Sequence, residues 1–391
     1  MSERILILGN LGNAGFQVTE QLVKAGHDVT LGVNTLDFGM SMPEWELLNF
    51  DKPIDPYNQN DCQELQQYWT PPKWIRYFQF DMNLSKRPKG IIGRIKHTLQ
   101  VRKMIQEYDI VEAHVPFSII TQFSGIDYVT YDAGWIRRFE DRRSIIDKLG
   151  ERGYSKAKSI IVTNPDTLRI FRSNEKLKNK EMRFIPFAID HQRYKKLPKN
   201  KGIDLFNEDE FIIFSPSRLA WTEKGNDRLI RAFARFVKTY PNSRLVIVYW
   251  STDAEKSKSL VYQLGIASKV TWINPVSKPE LIKWYSSVNV VADQFILGSW
   301  GSSTPEAMAC EAPVMMYYNT KYIIETFGNE LPPILNCQTE DQIYSYLITL
   351  YKDKDLGLSI GKQSRQWIIK THDPKDVAQK HLKILQSHLK K

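Results

Sequence analysis

The chain has 391 residues, of which 42% are hydrophobic, 25% charged and 12% aromatic, and its formal net charge is +10. The composition is typical of a globular protein. At about 150 residues per domain, the length predicts two or three domains. The apolar runs are only as long as strands, which argues against a membrane-spanning helix, and the first residues lack the pattern of a signal peptide. The three cysteines show no ligand or paired spacing, so we expect free thiols in the cytoplasm.

The first 197 residues alternate strands with helices. The segment RILILGNLGNAG is a short apolar strand followed by glycines at 9, 12 and 15, and the pattern after it predicts a helix from Phe16 to Ala25. This alternation predicts a parallel, doubly wound sheet. Further strands are predicted at 27–33, 75–80, 109–115, 127–134, 159–164 and 182–189.

A basic tract interrupts the first half of the chain. Residues 86–103, KRPKGIIGRIKHTLQVRK, contain seven basic side chains and no acidic one. Such a tract can bind an anionic membrane surface, nucleic acid or a phosphorylated acceptor, and it is equally typical of a solvated helix face. No recognised nucleic-acid module is present, so we expect no nucleic-acid partner. We expect a cytoplasmic protein, and the basic tract leaves a peripheral position on the membrane as an alternative.

Residues 195–210, KKLPKNKGIDLFNEDE, break the pattern and are typical of a linker. The alternation then restarts, with strands predicted at 211–221, 244–250, 269–275, 288–295 and 313–318 and helices at 226–238 and 278–287. We therefore predict an α/β protein with two Rossmann-like domains, 1–197 and 198–371, that face a central cleft. The C-terminal helix, at about 372–391, is a candidate to pack back on the first domain. Ligands of open α/β sheets bind at the carboxyl ends of strands, which makes the cleft the expected site.

The glycines at 9, 12 and 15 leave two interpretations open. They match a dinucleotide fingerprint, in which backbone N–H groups approach a pyrophosphate. A nicotinamide enzyme usually carries an acidic residue at the end of the second strand, where this chain has Asn34, and Asp37 lies too far along. We therefore favour a glycine loop that lines the cleft.

Two cations follow the first predicted strand of the second domain, in SPSRLAWTEKGNDRLIRAF, residues 215–233. Arg218 lies just past the strand, and Lys224 lies six residues further on, before Gly225 and a helix. Arginine offers a fork of donors and lysine a compact charge, a pair suited to two phosphates. The alternative is that both are solvated loop cations.

The segment GSWGSSTPEAMACEAPV, residues 298–314, is a glycine- and serine-rich loop that leads into a short helix. Thr304 is predicted to be the N-cap, Pro305 suits the first helical position and Glu306 falls in the first turn, where a carboxylate complements the helix dipole. The dipole does not account for the loop residues that let backbone N–H groups approach a ligand. The segment is therefore a candidate cradle for a nucleotide diphosphate, with Glu306 left to accept ribose hydroxyls. Those loop residues are Gly298, Gly301, Ser302 and Ser303.

Taken together, these motifs resemble the C-terminal domain of GT-B glycosyltransferases, especially family 4. The resemblance is carried, in this order, by RLAWTEKG, VTWINPVSKPELIKWYSSVNVVAD and GSWGSSTPEAMACEAPV. The segments DIVEAH and IPFAIDHQRY are similar to the family's N-terminal domain. The resemblance covers most of residues 1–370 and is weakest at 35–105, where acceptor-binding loops usually diverge.

The resemblance implies a role for each matching residue. Arg218 and Lys224 match the cations that stabilise the leaving diphosphate of a nucleotide sugar, and Glu306 matches the glutamate that holds the donor ribose. The backbone near residues 273–275 would frame the base, and a loop of the N-terminal domain would approach the donor phosphates. These further donor-binding candidates are Ile273, Asn274, Gly12 and Asn13.

The sequence departs from the family pattern at two positions. The family usually has a glutamate that contacts the donor sugar eight residues before Glu306, where this chain has Gly298. It often has a histidine near the reacting carbon after the TYDAG strand, where this chain offers Asp132 as the catalytic candidate. Asp132 either orients the hydroxyls of the sugar or forms an Asx turn before Ala133. His114, one strand earlier, is a second catalytic candidate, although a strand-end histidine is more often structural.

The resemblance implies a retaining glycosyltransferase with no protein-bound metal and no cofactor, whose co-substrate is a UDP- or GDP-linked sugar. The acceptor would be a saccharide, a lipid-linked or a small-molecule hydroxyl in glycan or glycolipid biosynthesis. The DxD at Asp353–Asp355 lies in a lysine-rich segment and is not expected to bind metal. The alternatives are a degenerate nucleotide- or glycan-binding protein and a UDP-sugar epimerase of the same architecture, with an oxidoreductase the least favoured.

Overall fold

The computed structural model of the chain describes residues 3–50, 54–81, 91–139, 144–198, 202–203, 207 and 209–389. The chain divides into two compact units. The first comprises Met1–Glu46, Pro56–Ala188 and Pro374–Lys391, and the second comprises Leu47–Asp55 and Ile189–Asp373. Each unit has its own parallel sheet.

The sheet of the first unit contains β1 (Ile5–Leu8), β2 (Val29–Asn34), β3 (Ile75–Phe78), β4 (Ile110–His114), β5 (Tyr128–Asp132), β6 (Ser159–Val162) and β7 (Glu181–Phe184). Their order is β3-β2-β1-β4-β5-β6-β7, and all neighbours are parallel. The strand order reverses between β1 and β4. The carboxyl ends of these two strands therefore form the topological switch point, where ligands of open α/β sheets bind.

The helices of this part of the chain alternate with the strands, as a parallel sheet requires. They are α1 (Ala14–Lys24), α2 (Pro43–Leu47), α3 (Gln59–Leu65), α4 (Ile91–Ile105), α5 (Ser118–Thr121), α6 (Ile145–Lys156) and α7 (Pro165–Ser173).

The sheet of the second unit contains β8 (Phe211–Ser215), β9 (Ser243–Val248), β10 (Val270–Ile273), β11 (Val290–Ala292), β12 (Val314–Met316) and β13 (Leu335–Asn336). Their order is β10-β9-β8-β11-β12-β13, again with parallel neighbours. Here the order reverses between β8 and β11, so the segments that follow these strands start side by side.

The remaining helices are α8 (Trp221–Lys224), α9 (Asn226–Thr239), α10 (Ala254–Gln263), α11 (Lys278–Ser287), α12 (Ser303–Ala309), α13 (Thr320–Phe327), α14 (Glu340–Lys352), α15 (Lys354–Thr371) and α16 (Pro374–Ser387). The last of them belongs to the first unit, where α16 packs against α1 and near β4 and β5. Among the described residues, no helix is both long and apolar enough to cross a membrane.

The predicted doubly wound α/β class is confirmed in both units, and α11 has the predicted bounds, 278–287. In the second unit, one face of the sheet is covered by α9 and α14 over a buried apolar core that includes Phe211, Phe233 and Leu347. The short strand β13 was not predicted, because two residues carry no periodicity that a sequence pattern can detect.

Candidate active site

In the second unit, the segments after β8 and β11 contact each other at the switch point. The backbone N–H of Phe295 donates a hydrogen bond to the carbonyl of Lys224 at 2.7 Å. The Ser217 hydroxyl donates a second hydrogen bond to Asp293 Oδ1. The structure therefore brings the segment after β8, residues 215–225, next to the segment after β11, residues 293–306.

Asp293 connects these segments through its side chain, and it was not among the predicted site residues. The residue is 3% exposed, and its second oxygen, Oδ2, accepts a hydrogen bond from Thr304 Oγ1 at 2.6 Å. A buried carboxylate with a hydroxyl donor on each oxygen fixes the relative position of the two segments that supply those donors. The available sequence signal was an acidic residue directly after the apolar run of β11.

The predicted phosphate-binding cations lie at the start of this arrangement. Arg218 follows β8 and forms an ion pair with Glu223, with about half of each side chain exposed. Lys224 is the last residue of α8, and Gly225 after it adopts a positive φ of 67°, which lets α9 start in a new direction. A diphosphate at Arg218 would therefore compete with the Glu223 carboxylate for the guanidinium.

Glu306 lies in the first turn of α12, as predicted, and forms a buried ion pair. Lys278 Nζ donates to Glu306 Oε1 at 2.5 Å, and the two side chains are 8% and 3% exposed. The predicted N-cap role of Thr304 is wrong: α12 begins at Ser303, and the Thr304 hydroxyl bonds to Asp293 instead. Tertiary hydrogen bonding to a buried carboxylate has overridden the local capping preference.

The loop before α12 contains two glycines of different character. Gly298 has a φ of +70°, and a Cβ placed there would lie 3.1 Å from Tyr317 Cε1 and 3.2 Å from Asn319 Cβ. A Cβ at Gly301 would meet nothing within 4 Å. Position 298 therefore favours glycine, and the glutamate that the family usually has would be strained on the backbone found here. Ser302 and Ser303 are half-buried at the start of the helix.

The predicted base-framing segment begins at the last residue of β10, at the edge of the sheet. The Ile273 carbonyl accepts a hydrogen bond from the Tyr249 N–H at 2.7 Å, and Asn274 is exposed. The strand order puts β9 and β8 between this segment and β11. A base-binding role for Ile273 and Asn274 remains a prediction.

In the first unit, the glycine loop follows β1 at the switch point of its sheet. Gly12 and Asn13 have positive φ values of 57° and 62°, so both occupy the left-handed region. The Asn13 side chain is buried, accepts a hydrogen bond from Asn10 Nδ2 at 2.7 Å and donates to the Met40 carbonyl at 3.2 Å. These contacts fix the shape of the loop, and donor binding by Gly12 and Asn13 remains a prediction.

Asp132, at the end of β5, is fully buried and has three hydrogen-bond donors. Oδ2 accepts from the Gly134 N–H at 2.8 Å, and Oδ1 accepts from the Ile136 N–H at 3.2 Å and the Tyr154 hydroxyl at 2.5 Å. Burial raises the pKa of Asp132, while the Tyr154 hydroxyl opposes that shift. The contact with Gly134 is the Asx turn considered as the alternative, and a catalytic role for Asp132 is a prediction that the geometry does not test.

His114 belongs to a buried cluster with Glu112 and His381. His114 Nε2 lies 2.9 Å from Glu112 Oε1, and His381 Nδ1, on α16, lies 2.8 Å from Glu112 Oε2. Burial alone would raise the pKa of Glu112, but the two histidines outweigh it and lower the pKa to about 2. Burial lowers the pKa of His114, whose ring stacks on Tyr131 with 4.1 Å between centroids. The cluster connects α16 to β4, and a catalytic role for His114 remains a prediction.

Within the part of the chain that the structure describes, no group of three or more histidine, cysteine, aspartate or glutamate side chains is arranged to hold a metal ion. Asp353 lies between α14 and α15 and accepts a hydrogen bond from the Leu356 N–H at 2.8 Å, which is a capping contact. The three cysteines are free and buried.

Solved structures share the fold of this chain, with its two parallel α/β units. The chain is similar to sucrose-phosphate synthase from Thermosynechococcus elongatus, with a TM-score of 0.72, 15% identity and 98% of each chain covered. It is also similar to Anabaena HepE in complex with UDP and glucose, with a TM-score of 0.70, 15% identity, and 98% of this chain and 100% of that chain covered. The fold is therefore GT-B.

Residues 198–367 match the family model described as glycosyl transferases group 1. The chain is 24% identical over 330 residues to an uncharacterized glycosyltransferase of Methanocaldococcus jannaschii, covering 79% of this chain and 77% of the relative. It is 24% identical over 291 residues to alpha-monoglucosyldiacylglycerol synthase of Acholeplasma laidlawii, covering 68% and 72%. The chain is therefore similar to group 1 glycosyltransferases, and the match to the family model lies in its second unit.

Proposed function

We propose that the chain transfers a hexosyl group from a nucleotide-diphosphate sugar to an acceptor hydroxyl, with retention of anomeric configuration and without a metal ion. The observation that carries this proposal is the contact between segments 215–225 and 293–306 at the switch point of the second unit. Asp293 accepts a hydrogen bond from each segment, so the cations of one and Glu306 of the other belong to segments that are hydrogen-bonded together.

The proposed chemistry depends on stabilising the leaving group. The bond between the anomeric carbon and the diphosphate oxygen breaks, a bond from that carbon to the acceptor oxygen forms on the same face, and the hydroxyl proton passes to the departing phosphate. Negative charge therefore grows on the diphosphate. Arg218 and Lys224 would stabilise it more in the transition state than in the ground state, which is the condition for catalysis.

Solved neighbours support a uridine nucleotide as the donor. Anabaena HepE, which shares the fold, was solved with UDP and with UDP-glucose. We therefore propose UDP-glucose as the first donor to test, with GDP-linked sugars as the alternative. The glutamate that usually contacts the sugar is absent at Gly298, so recognition of the sugar would rest on other residues of this chain.

The proposed acceptor is a lipid-linked or saccharide hydroxyl at a cytoplasmic membrane surface. One relative is named as a synthase of a glucosyl diacylglycerol, a lipid product. In this chain the basic tract 86–103 would bind anionic headgroups, each lysine or arginine contributing about 1 kcal/mol near the surface. Residues 86–90 of the tract lie outside the described residues, and α4 contains the remainder. Co-sedimentation with vesicles, with and without anionic lipid, tests this part.

Turnover tests the proposal directly. The full chain is incubated with UDP-glucose, UDP-N-acetylglucosamine or GDP-mannose, together with diacylglycerol vesicles or a sugar-phosphate acceptor, and the released nucleotide is measured. We expect release that depends on the acceptor, falls at least tenfold in Lys224→Ala, and is unchanged in Lys238→Ala, an exposed lysine on α9. Nucleotide binding without release under any condition would instead indicate a degenerate binding protein.

A further inference from the structure

Lys278 is a buried lysine whose position local helix chemistry does not explain. It is the first residue of α11, follows Ser277 and is 7% exposed. The positive end of a helix dipole disfavours a cation, and lysine is almost never buried unless it is paired. The stabilising partner is Glu306 on α12, 28 residues away in sequence, whose Oε1 accepts a hydrogen bond from Lys278 Nζ at 2.5 Å.

Glu306 uses only one of its two oxygens in this pair. Oε2 is buried and has no hydrogen-bond partner among the residues that the structure describes. A buried acceptor left unsatisfied costs about 1–3 kcal/mol, so the fold retains an unfilled acceptor next to the segment that the sequence assigns to nucleotide binding. The nearby Tyr285 hydroxyl is also fully buried. Burial is the largest cause that raises the pKa of Tyr285, and the charge of Glu306 is the second largest.

We propose that Lys278 is a positioning residue for the nucleoside: it holds Glu306 through Oε1 so that Oε2 accepts a ribose hydroxyl of a nucleoside diphosphate. The proposal rests on the proposed function, because it assigns the ligand of Glu306. The ion pair also neutralises a carboxylate that would otherwise repel the diphosphate of the same ligand. Lys278 itself would contact Glu306 and not the ligand.

The test compares ribose and deoxyribose nucleotides on Lys278→Met, which removes the charged amino group and keeps an unbranched side chain of nearly the same length. Dissociation constants for UDP, 2′-deoxy-UDP and 3′-deoxy-UDP are measured by calorimetry on the full chain. We expect wild type to prefer UDP over one deoxy analogue by about tenfold to a hundredfold, the range for a hydrogen bond to a charged group. In Lys278→Met, as in Glu306→Gln, that ratio should fall to within about threefold.

The ratio separates positioning from a general structural role, because a general loss of packing weakens all three nucleotides equally and leaves the ratio at the wild-type value. That outcome overturns the proposal. Lys283→Met is the matched control: Lys283 lies on the same helix but pairs at 2.7 Å with Glu280, about a third of each side chain being exposed, and its ratio should stay unchanged. Should Lys278→Met not fold, Lys278→Gln replaces it, because glutamine removes the positive charge, is one atom shorter than lysine and keeps a polar end group. The ratio should fall there as well, and an unchanged ratio overturns the proposal.

Failure of the proposed function gives a different result. If wild type binds none of UDP, GDP and ADP, both the nucleotide site and the role of Lys278 are refuted. If wild type binds UDP but does not discriminate against either deoxy analogue, the ribose role of Glu306 fails and the role of Lys278 fails with it. If wild type discriminates and Lys278→Met discriminates equally, only the role of Lys278 fails.

Discussion

Thr304 Oγ1 donates a hydrogen bond to Asp293 Oδ2 over 2.6 Å, and both side chains are buried. Because Asp293 also accepts from Ser217, this contact joins the start of α12 to the segment after β8. The two loops of the candidate site are therefore held by a hydrogen-bonded carboxylate in addition to the apolar core.

The first prediction concerns Thr304→Val, which keeps the shape of the side chain and removes the hydroxyl donor. One Asp293 oxygen is then buried without that donor, so the free energy of unfolding should fall by about 1–3 kcal/mol. Urea unfolding measures this change. Thr304→Ser keeps the hydroxyl and should lose clearly less, and equal stability of Thr304→Val and wild type would show that the contact contributes nothing.

The two loop glycines should respond differently to alanine. At Gly298 the φ of +70° and the 3.1 Å approach to Tyr317 should make Gly298→Ala less stable than wild type by roughly 1–2 kcal/mol or more. Gly301→Ala should change stability by less than about 0.5 kcal/mol, because a Cβ there meets nothing within 4 Å. Thermal unfolding compares the two variants.

Gly298→Glu restores the residue that the family usually carries, and we expect it to lower stability without raising turnover. A gain in turnover would show that the backbone at 298 adapts to a side chain, contrary to the crowding found there.

The stability of the first unit against unfolding should depend on pH through the protonation of Glu112 and His114. The pKa of Glu112 is lowered from 4.5 to about 2, and that of His114 is lowered from 6.5. A depressed folded-state pKa gives stability that is present above the unfolded-state pKa and is lost as the pH falls. The unfolding midpoint should therefore decrease from about pH 6.5 downward, and more steeply below about pH 4.5.

Glu112→Gln removes the carboxylate's share of this dependence, so its unfolding midpoint should fall less between pH 5 and pH 3 than that of wild type. Glu107→Gln, which removes an exposed partner of Arg76, should follow the wild-type curve because exposed ion pairs are worth little. Parallel curves for Glu112→Gln and wild type would contradict the assignment.

The ion pair between Arg218 and Glu223 should compete with the donor phosphates. Glu223→Gln removes a negative charge beside the proposed diphosphate position and releases Arg218, so the affinity for the nucleoside diphosphate should rise, by up to about fivefold. Calorimetric titration measures it. Asp341→Asn breaks a similar exposed pair with Arg235 on α9 and should leave the affinity unchanged. Weaker binding in Glu223→Gln would mean that Glu223 orients Arg218 for the ligand.

The bounds of individual helices and strands could be predicted from the sequence, whereas the contacts between distant segments could not. The bounds of α11 were predictable because Ser277, Lys278 and Pro279 combine a cap, a first turn and a fixed φ before an apolar period. Strand alternation also predicted that Arg218 lies just past the carboxyl end of a strand. It does not determine the strand order, so the switch point was not predicted.

The contacts between distant segments were not predictable from one sequence. Thr304 has the local signature of an N-cap, and only the fold shows that Asp293 receives its hydroxyl. Likewise His381 lies 269 residues from Glu112, and no periodicity indicates that the two meet. Local chemistry determines which residues can form a site, while the pairing of segments decides which hydrogen bonds they make.

The nucleoside-diphosphate site is tested most simply by a thermal-shift measurement with UDP, GDP and ADP, and with NAD as a control, on wild type, Arg218→Ala and Lys224→Ala. A nucleotide at 100 times its dissociation constant should stabilise wild type by about 2.7 kcal/mol. We expect a shift with one nucleoside diphosphate, a smaller shift in each variant and no shift with NAD. Wild type that responds to no nucleotide, or variants that respond as wild type does, would contradict a diphosphate site at Arg218 and Lys224.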